Sequence, residues 1–187
     1  MIFTILALAT LLVLAMGWVG HIGSDDLEYI SAARNWFSVD GYLPDSHWAM
    51  RHPLVLPMGL SFQIFGHSEI ISILPSLLYA AGMLGMLLFN RHVSLLDGLF
   101  AGLVFVLTPL FAEIASIANV DIVEAFFVFS SFLLFCSAYG GNAPLPVVFL
   151  SGVLAGIAFT ARETSGALVV FYGLLFLFRP GMARPAY

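Results

Sequence analysis

The sequence is poor in charge, and it has no lysine at all. Charged residues make up 9% of the 187 residues, and the six basic side chains are all arginines. Soluble domains carry roughly 25% charged residues. Because a soluble protein must present a largely polar surface to water, this shortage excludes a water-soluble domain of ordinary composition. The net charge of −5 and the lack of a basic run also argue against a nucleic-acid partner.

Cysteine and metal-ligand patterns are equally scarce. The one cysteine, Cys136, cannot form an internal disulfide, and its apolar neighbours indicate a small buried side chain. The histidines show no metal-ligand spacing on one helix: they are His21, His47, His52, His67 and His92. We therefore expect no cofactor, although the acids and histidines together leave a divalent metal open.

Hydrophobic residues are abundant instead, at 61% of the chain, and the mean hydropathy is +1.03. A helix that crosses a bilayer needs about 20 apolar residues. These apolar segments predict an all-α, polytopic membrane protein with about six transmembrane helices. The predicted spans are 1–20, 70–89, 96–112, 121–139, 145–161 and 164–178, and a long polar loop covers 21–68.

An amphipathic helix is predicted inside the long loop. Ser24 can cap it, and Asp25 and Asp26 suit the positive end of its dipole. Leu27, Ile30, Arg34 and Phe37 then follow at spacings of three and four, which is typical of an interfacial helix. Residues 53–65 are apolar but contain proline and glycine, so we expect an interfacial or re-entrant helix there.

The orientation follows from the short Arg91-His92 turn. Arginines in very short loops favour the cytoplasmic side, so we predict a cytoplasmic N-terminus and a multi-pass protein of the plasma (inner) membrane. The outer loops are then 21–68, 113–120 and 162–164. The other charged clusters of the loops therefore fall on one outer face, where charge at a helix end usually borders a cavity.

Acidic residues on that face are candidates for catalysis. Asp25 and Asp26 follow the first span, either as carboxylates able to accept a proton or as acids that offset a helix dipole. Asp121 and Glu124 lie at positions i and i+3 of the fourth span, and the same two explanations apply to them.

Basic residues on the same face are candidates for phosphate binding. Arg51, next to His52, can contact a phosphate through its planar guanidinium or can extend to lipid headgroups. Arg162 lies beside Glu163, and it either forms a local ion pair or makes a second phosphate contact.

Four segments resemble a known family in order and spacing. They read GSDDLEYISAARNW at 23–36, RHPL at 51–54, TPLF continuing to ANVD at 108–121, and GIAFTAR at 156–162. They resemble the polytopic GT-C glycosyltransferases, in the branch of the protein O-mannosyltransferases and the lipid A aminoarabinose transferases.

The resemblance implies an inverting transfer of a sugar from a polyprenyl-phosphate donor to a glycan, lipid or protein acceptor, at the outer face. It implies catalytic roles for Asp25, as the general base, and for Asp121. The residues expected to bind substrate are Asp26, Arg51, His52 and Arg162.

Two departures from the family pattern bear on this expectation. The family often has an arginine shortly before the position of Asp121, and residues 113–119 contain none. Relatives are also much longer, so we expect 1–187 to be the N-terminal part of a GT-C transmembrane domain. A non-catalytic membrane subunit or a transporter component is the alternative, although a transporter predicts acids deep within its spans.

Overall fold

The computed structural model describes residues 2–38, 40–90, 93–139 and 144–178. The Arg91-His92 turn, from which the orientation is predicted, lies outside these residues, as do 140–143 and the C-terminal 179–187.

The described residues form nine α-helices and one short 3-10 helix, with no strand among them, which confirms the all-α prediction. In chain order the elements are α1 (Ile2–Gly17), α2 (Asp25–Ser38), α3 (His52–Phe65), α4 (Glu69–Leu88), α5 (Leu95–Leu107), α6 (Pro109–Ser116), α7 (Val120–Tyr139), α8 (Leu145–Ala161), the 3-10 helix (Glu163–Ser165) and α9 (Gly166–Leu177).

Several helices are long and apolar enough for a bilayer, so this is an all-α membrane protein. Within the described residues, α4 and most of α7 qualify as spans by length and composition. A third qualifies if α5 and α6 are taken as one bent span. The apolar helices α1, α8 and α9 are shorter than 18 residues, so the count of six spans stays a prediction.

The region predicted as one span at 96–112 is divided in the structure. Helix α5 ends at Leu107, α6 begins at Pro109, and the two axes differ by 74°. Thr108 between them is extended, with φ −64° and ψ 127°. A residue before proline is disfavoured in the α conformation, and proline has no N–H to continue the helix, so the chain turns here.

Helices α2 and α3 pack closely, and α3 supplies much of the core. Leu54, Val55 and Met58 of α3 are fully buried. A Cβ added at Gly59 would lie 2.7 Å from the backbone oxygen of Ala33 in α2. Because only glycine allows this approach, Gly59 sets the distance between the two helices.

The buried face of α2 differs from the predicted stripe. The helix forms as expected, but Leu27 is 51% exposed and Phe37 is 48% exposed. Ile30 of the stripe is buried, and the rest of the buried face runs through Asp26, Tyr29, Ala32 and Ala33. Spacing of three and four fits more than one face of a helix, and packing against α3 selects the face that is buried.

The prediction that Cys136 is buried is wrong. Its side chain is exposed on α7, between the buried Phe135 and a partly buried Ser137. Because α7 is apolar on all sides, hydrophobicity in the sequence cannot distinguish its packed face from a face turned to lipid.

Polar contacts join several helices at one end of the assembly, around Gly20, Glu69 and Ser116, and we call it the polar end. The amide N–H of Gly20, just after α1, donates to the Ser116 backbone oxygen at 3.2 Å. Trp18 Nε1 donates to Glu69 Oε1 at 3.1 Å at the start of α4. Gly20 has a φ of +75°, a conformation that residues with a side chain rarely adopt, so a substitution there would be strained. These bonds place the segment after α1 beside the start of α4 and the end of α6.

Candidate functional site

The adjacent carboxylates Asp25 and Asp26, at the start of α2, have opposite environments. Asp26 is 2% exposed, and its carboxylate accepts hydrogen bonds from the backbone N–H groups of Ile22 at 3.0 Å, Gly23 at 3.4 Å and Ser24 at 2.7 Å. This environment favours a role for Asp26 in holding the loop before α2 rather than the predicted contact with substrate.

Asp25 is exposed, and its carboxylate has no hydrogen bond or ion pair to any described residue. Its backbone is nevertheless fixed, because the loop that precedes it is tied to Asp26. An accessible carboxylate on a rigid backbone meets the requirement for a base that must be positioned near a hydroxyl group.

Arg51 lies immediately before α3 and is anchored from two sides. Its side chain is 12% exposed. Its Nη1 donates to the Ala161 backbone oxygen at the end of α8, and its Nη2 lies 3.2 Å from Glu163 Oε2. The Nε of Arg51 is buried and has no hydrogen-bond partner among the described residues. Arg51 therefore joins the start of α3 to the turn after α8 and keeps one donor free.

Arg162 pairs with Asp121 rather than with its neighbour in sequence. Arg162 Nη1 donates to Asp121 Oδ1 across the gap between the end of α8 and the start of α7. Asp121 is also held by Asn119, whose Nδ2 donates to Asp121 Oδ2 at 3.1 Å. Because Glu163 pairs with Arg51 instead, the local Arg162–Glu163 ion pair considered from the sequence does not form.

Glu124 closes the same junction one turn further along α7. Its Oε1 accepts hydrogen bonds from Thr164 Oγ1 at 2.6 Å and from Ser165 Oγ at 2.5 Å. The 3-10 helix of residues 163–165 is therefore fixed to α7 by a carboxylate, and the positions of Arg162 and Glu163 are fixed with it.

Tyr29 marks the point where these groups converge. It is 3% exposed on α2, and burial raises the pKa of its phenol to about 12. Four charged side chains also act on this pKa, and all four are residues predicted for the site: Arg51, Asp25, Asp121 and Arg162. Both predicted catalytic acids and both predicted arginines therefore lie within electrostatic range of one buried tyrosine. Direct contacts join Arg162 to Asp121 and Arg51 to the backbone of Ala161.

His52 stands somewhat apart from this group. It is the first residue of α3, and its ring packs edge-on against Trp36 with centroids 5.1 Å apart. The charge of His47 contributes to a lowered pKa of Glu163, after the larger effects of a backbone hydrogen bond and of Arg51. Residues 47–52 thus approach the charged groups from the long loop.

Three residues of this arrangement were not assigned to the site from the sequence. The sequence alone places Tyr29 in a helix and gives it no further role. It presents Glu163 as a local partner of Arg162, and Glu124 as an acid at the start of a helix. The YISAAR pattern after the acids placed Tyr29 one turn from Asp25, and that spacing was a signal that could have been used.

Metal ligands are not grouped in the part of the chain that the structure describes. No set of three or more histidine, cysteine, aspartate or glutamate side chains there could hold a metal ion.

The fold and the site together define a class: an all-α membrane protein whose acids and arginines meet at one end of its apolar helices. A family model described as dolichyl-phosphate-mannose-protein mannosyltransferase matches residues 51–185, most of the chain. The chain belongs to this family, which confirms the resemblance, and it is a membrane glycosyltransferase of the GT-C kind. Searches of curated proteins and of solved structures find no match.

The matched region contains part of the candidate site. Arg51, His52, Asp121 and Arg162 lie within residues 51–185, whereas Asp25 and Asp26 precede them. The roles of the two acids in α2 therefore rest on the resemblance of residues 23–36 and on their geometry.

Proposed function

We propose that this glycosyltransferase moves a sugar, with inversion, from a polyprenyl-phosphate donor to an acceptor hydroxyl at the outer face of the plasma membrane. The meeting of Arg51, Asp121 and Arg162 at the junction of α3, α7 and α8 carries the proposal. The electrostatic effect of Asp25 on Tyr29, which Arg51 and Asp121 also influence, supports it. The N-terminus lies in the cytoplasm, so that the polar end faces outward, and the acceptor belongs to a glycan, a lipid or a protein.

Arg51 is the first group proposed to bind the donor phosphate. Its planar guanidinium suits a phosphate, and the Nη2 that pairs with Glu163 is the donor proposed to receive a phosphate oxygen. Glu163 pairs with the same guanidinium, but its side chain is 67% exposed and can move into solvent when phosphate binds. Arg162 supplies the second contact, held in place by Asp121.

Asp25 is proposed as the general base. It takes the proton of the acceptor hydroxyl while that oxygen forms a bond to the anomeric carbon of the donor sugar. The bond between this carbon and the phosphate oxygen breaks, and the electron pair leaves with the lipid phosphate. The guanidinium groups stabilise the charge that develops on the leaving phosphate.

The remaining predicted residues support this chemistry. Asp26 holds the loop before α2, and we propose it as a positioning residue for Asp25. Asp121 orients Arg162 and shapes the site. His52 is proposed to contact substrate beside Arg51, from its place at the start of α3.

Sugar transfer in membranes tests the proposal. The full chain would be expressed and supplied with radiolabelled polyprenyl-phosphate sugars, and transfer would be compared between wild type and Asp25→Asn. A general base contributes roughly 10²–10⁴-fold to a rate, and we expect a loss of this size. Asp40→Asn is the matched control, because Asp40 is an exposed acid of the same loop outside the site.

Each result has a defined meaning. Equal transfer by wild type and Asp25→Asn would refute the role of Asp25. No transfer by a folded wild type, across several donors, would favour the non-catalytic membrane subunit.

A further inference from the structure

A polar cleft lies between α2 and residues 42–49 of the long loop. It encloses about 100 Å³ and is open on one side. A water molecule takes up about 30 Å³, so the cleft has room for several groups of that size. Most of its lining is polar, and it comes from Glu28, Ser31, Asn35, Tyr42, Asp45 and Ser46.

Most of these polar side chains are available to a ligand. Ser46 Oγ accepts a hydrogen bond from the Ala49 N–H at 3.3 Å. The side chains of Glu28, Ser31 and Asn35 form no hydrogen bond or ion pair with any described residue. A cleft whose amide, hydroxyl and carboxylate groups lack internal partners offers both donors and acceptors to a bound molecule.

The charge of the cleft excludes an anionic ligand. Glu28 and Asp45 are its two charged groups, and no arginine lines it. After burial, these two acids raise the pKa of Tyr42, so both carboxylates lie near the same phenol. A phosphate would be repelled here, and the donor phosphate therefore belongs with Arg51 and Arg162.

The chemistry of the lining suits an uncharged polyhydroxyl group. Sugar hydroxyls both donate and accept, and carboxylates, an amide and serine hydroxyls can bond several of them at once. Tyr42 adds one aromatic ring to the lining, and that ring packs edge-on against Trp36 with centroids 5.7 Å apart. Aromatic faces and edges give the apolar side of a sugar ring a surface to contact.

The cleft begins beside the proposed base. Glu28 lies one turn after Asp25 on α2, and the cleft continues along the helix to Asn35. Seven residues of α-helix span roughly 10 Å, so a sugar ring could lie along the open cleft with part of it in solvent. A saccharide in the cleft could present a hydroxyl to Asp25.

We propose that this cleft binds a neutral saccharide portion of the acceptor, through Glu28, Ser31 and Asn35. The proposal names the acceptor class for the transfer proposed above and so rests on it. It also makes a prediction that requires no donor and no turnover.

Direct binding provides the test. The full chain in nanodiscs would be titrated with methyl α-D-mannopyranoside and methyl β-D-glucopyranoside, and saturation-transfer NMR would report binding. The double variant Ser31→Ala/Asn35→Ala removes two hydrogen-bonding groups, and we expect roughly tenfold weaker binding. Ser38→Ala and Gln63→Ala are matched controls, since both side chains are exposed outside the cleft.

A second variant and a second ligand make the result decisive. Glu28→Gln keeps the side-chain shape but replaces a charged acceptor of sugar hydroxyls by a neutral amide, so it should weaken saccharide binding roughly three- to tenfold. Ethylammonium is the cationic probe, and it should not displace the saccharide. Saccharide binding equal in wild type and the double variant, or displacement by ethylammonium, would overturn the inference.

The transfer assay separates this inference from the proposed function. If saccharide binding is lost in the variants but no donor supports transfer, the cleft is a saccharide site and the proposed reaction fails. If transfer to a saccharide acceptor is intact in the double variant, with an unchanged KM for that acceptor, the reaction stands and the cleft proposal fails.

Discussion

Helix α7 connects two polar clusters of opposite character. The charged cluster, at the polar end, consists of Arg51, Asp121, Glu124, Arg162 and Glu163. The hydroxyl cluster consists of Ser131, Ser151 and Tyr172, which lie on α7, α8 and α9. Asp121 and Ser131 are ten residues apart on one helix, or roughly 15 Å along its axis.

The hydroxyl cluster is neutral, buried and fully paired. Ser131 Oγ donates to the Ser151 backbone oxygen at 2.8 Å, and Ser151 Oγ donates to the Ser131 backbone oxygen at 2.9 Å. The Tyr172 hydroxyl lies 2.9 Å from Ser131 Oγ, and the Tyr172 ring stacks on Phe135 at 4.0 Å. Each polar atom has a partner inside the protein, so the cluster offers nothing to a ligand.

The charged cluster is partly exposed and incompletely paired. The side chains of Asp121 and Arg162 are 40% and 45% exposed, and Arg51 keeps an unpaired Nε. Charges are costly in an apolar medium, whereas a hydroxyl can be satisfied there by one or two bonds. The same helix therefore stabilises the fold in its middle and can carry chemistry at its end.

In the comparison of the two clusters, the largest effect is expected on sugar transfer. Arg51→Gln removes a charge proposed to stabilise the leaving phosphate, and sugar transfer should fall roughly 10²–10³-fold. The membrane transfer assay measures this, with Arg34→Gln as control, because Arg34 is an exposed arginine of α2 near the Phe62 ring. A loss of less than a few-fold in a folded Arg51→Gln variant would contradict the role of the charged cluster.

The next effect concerns Tyr29, at the border of the charged cluster. Its phenol has an ordinary pKa of 10.0 in the unfolded chain and of about 12 in the folded protein. The contribution of Tyr29 to the free energy of unfolding is fully present below pH 10. As pH rises toward 12, the unfolded chain loses a proton that the folded protein keeps, so the free energy of unfolding falls, by up to ~2–3 kcal/mol.

Unfolding in detergent at about pH 9 and about pH 11 would measure this pH dependence. Tyr29→Phe has no phenol to titrate, so its stability should decline less than that of wild type over this interval. An identical decline in both proteins would show that Tyr29 ionises as easily folded as unfolded.

A smaller effect, on stability alone, is expected in the hydroxyl cluster. Ser131→Ala leaves Ser151 and Tyr172 without one of their partners and should reduce the free energy of unfolding by ~0.5–2 kcal/mol. Sugar transfer per folded molecule should be unchanged. Ser137→Ala is the control, because Ser137 bonds only within its own helix turn, to Leu134. Transfer that falls with Ser131→Ala would mean that the two clusters are coupled.

The smallest effect is expected for Glu163. Its pKa is lowered, first by its backbone hydrogen bond and then by Arg51, so its contribution is present at neutral pH and is lost as pH falls through that lowered pKa. Because the side chain is largely exposed, water and salt screen the pair and Glu163→Gln should hardly change thermal stability. A large destabilisation at neutral pH would show that the Arg51–Glu163 pair is a structural element.

The sequence predicts the elements of the site better than their arrangement. It identifies Asp25, Arg51, Asp121 and Arg162 as polar residues near the ends of apolar segments. It does not show that Asp25 is exposed and Asp26 buried, because both residues suit the first turn of a helix. The separation follows from the loop of residues 22–24, which closes on one carboxylate and leaves the other exposed.

The sequence by itself determines the class of this protein. Its apolar segments require lipid, lipid requires helices, and the scarce charges are confined to the ends of those helices. The tertiary structure decides which charges meet: Arg51 with Glu163, and Arg162 with Asp121. These partners lie 112 and 41 residues apart in the chain, and contacts at such separations depend on how the helices pack. Helix packing is governed by close approaches such as that at Gly59, which hydrophobic periodicity does not encode.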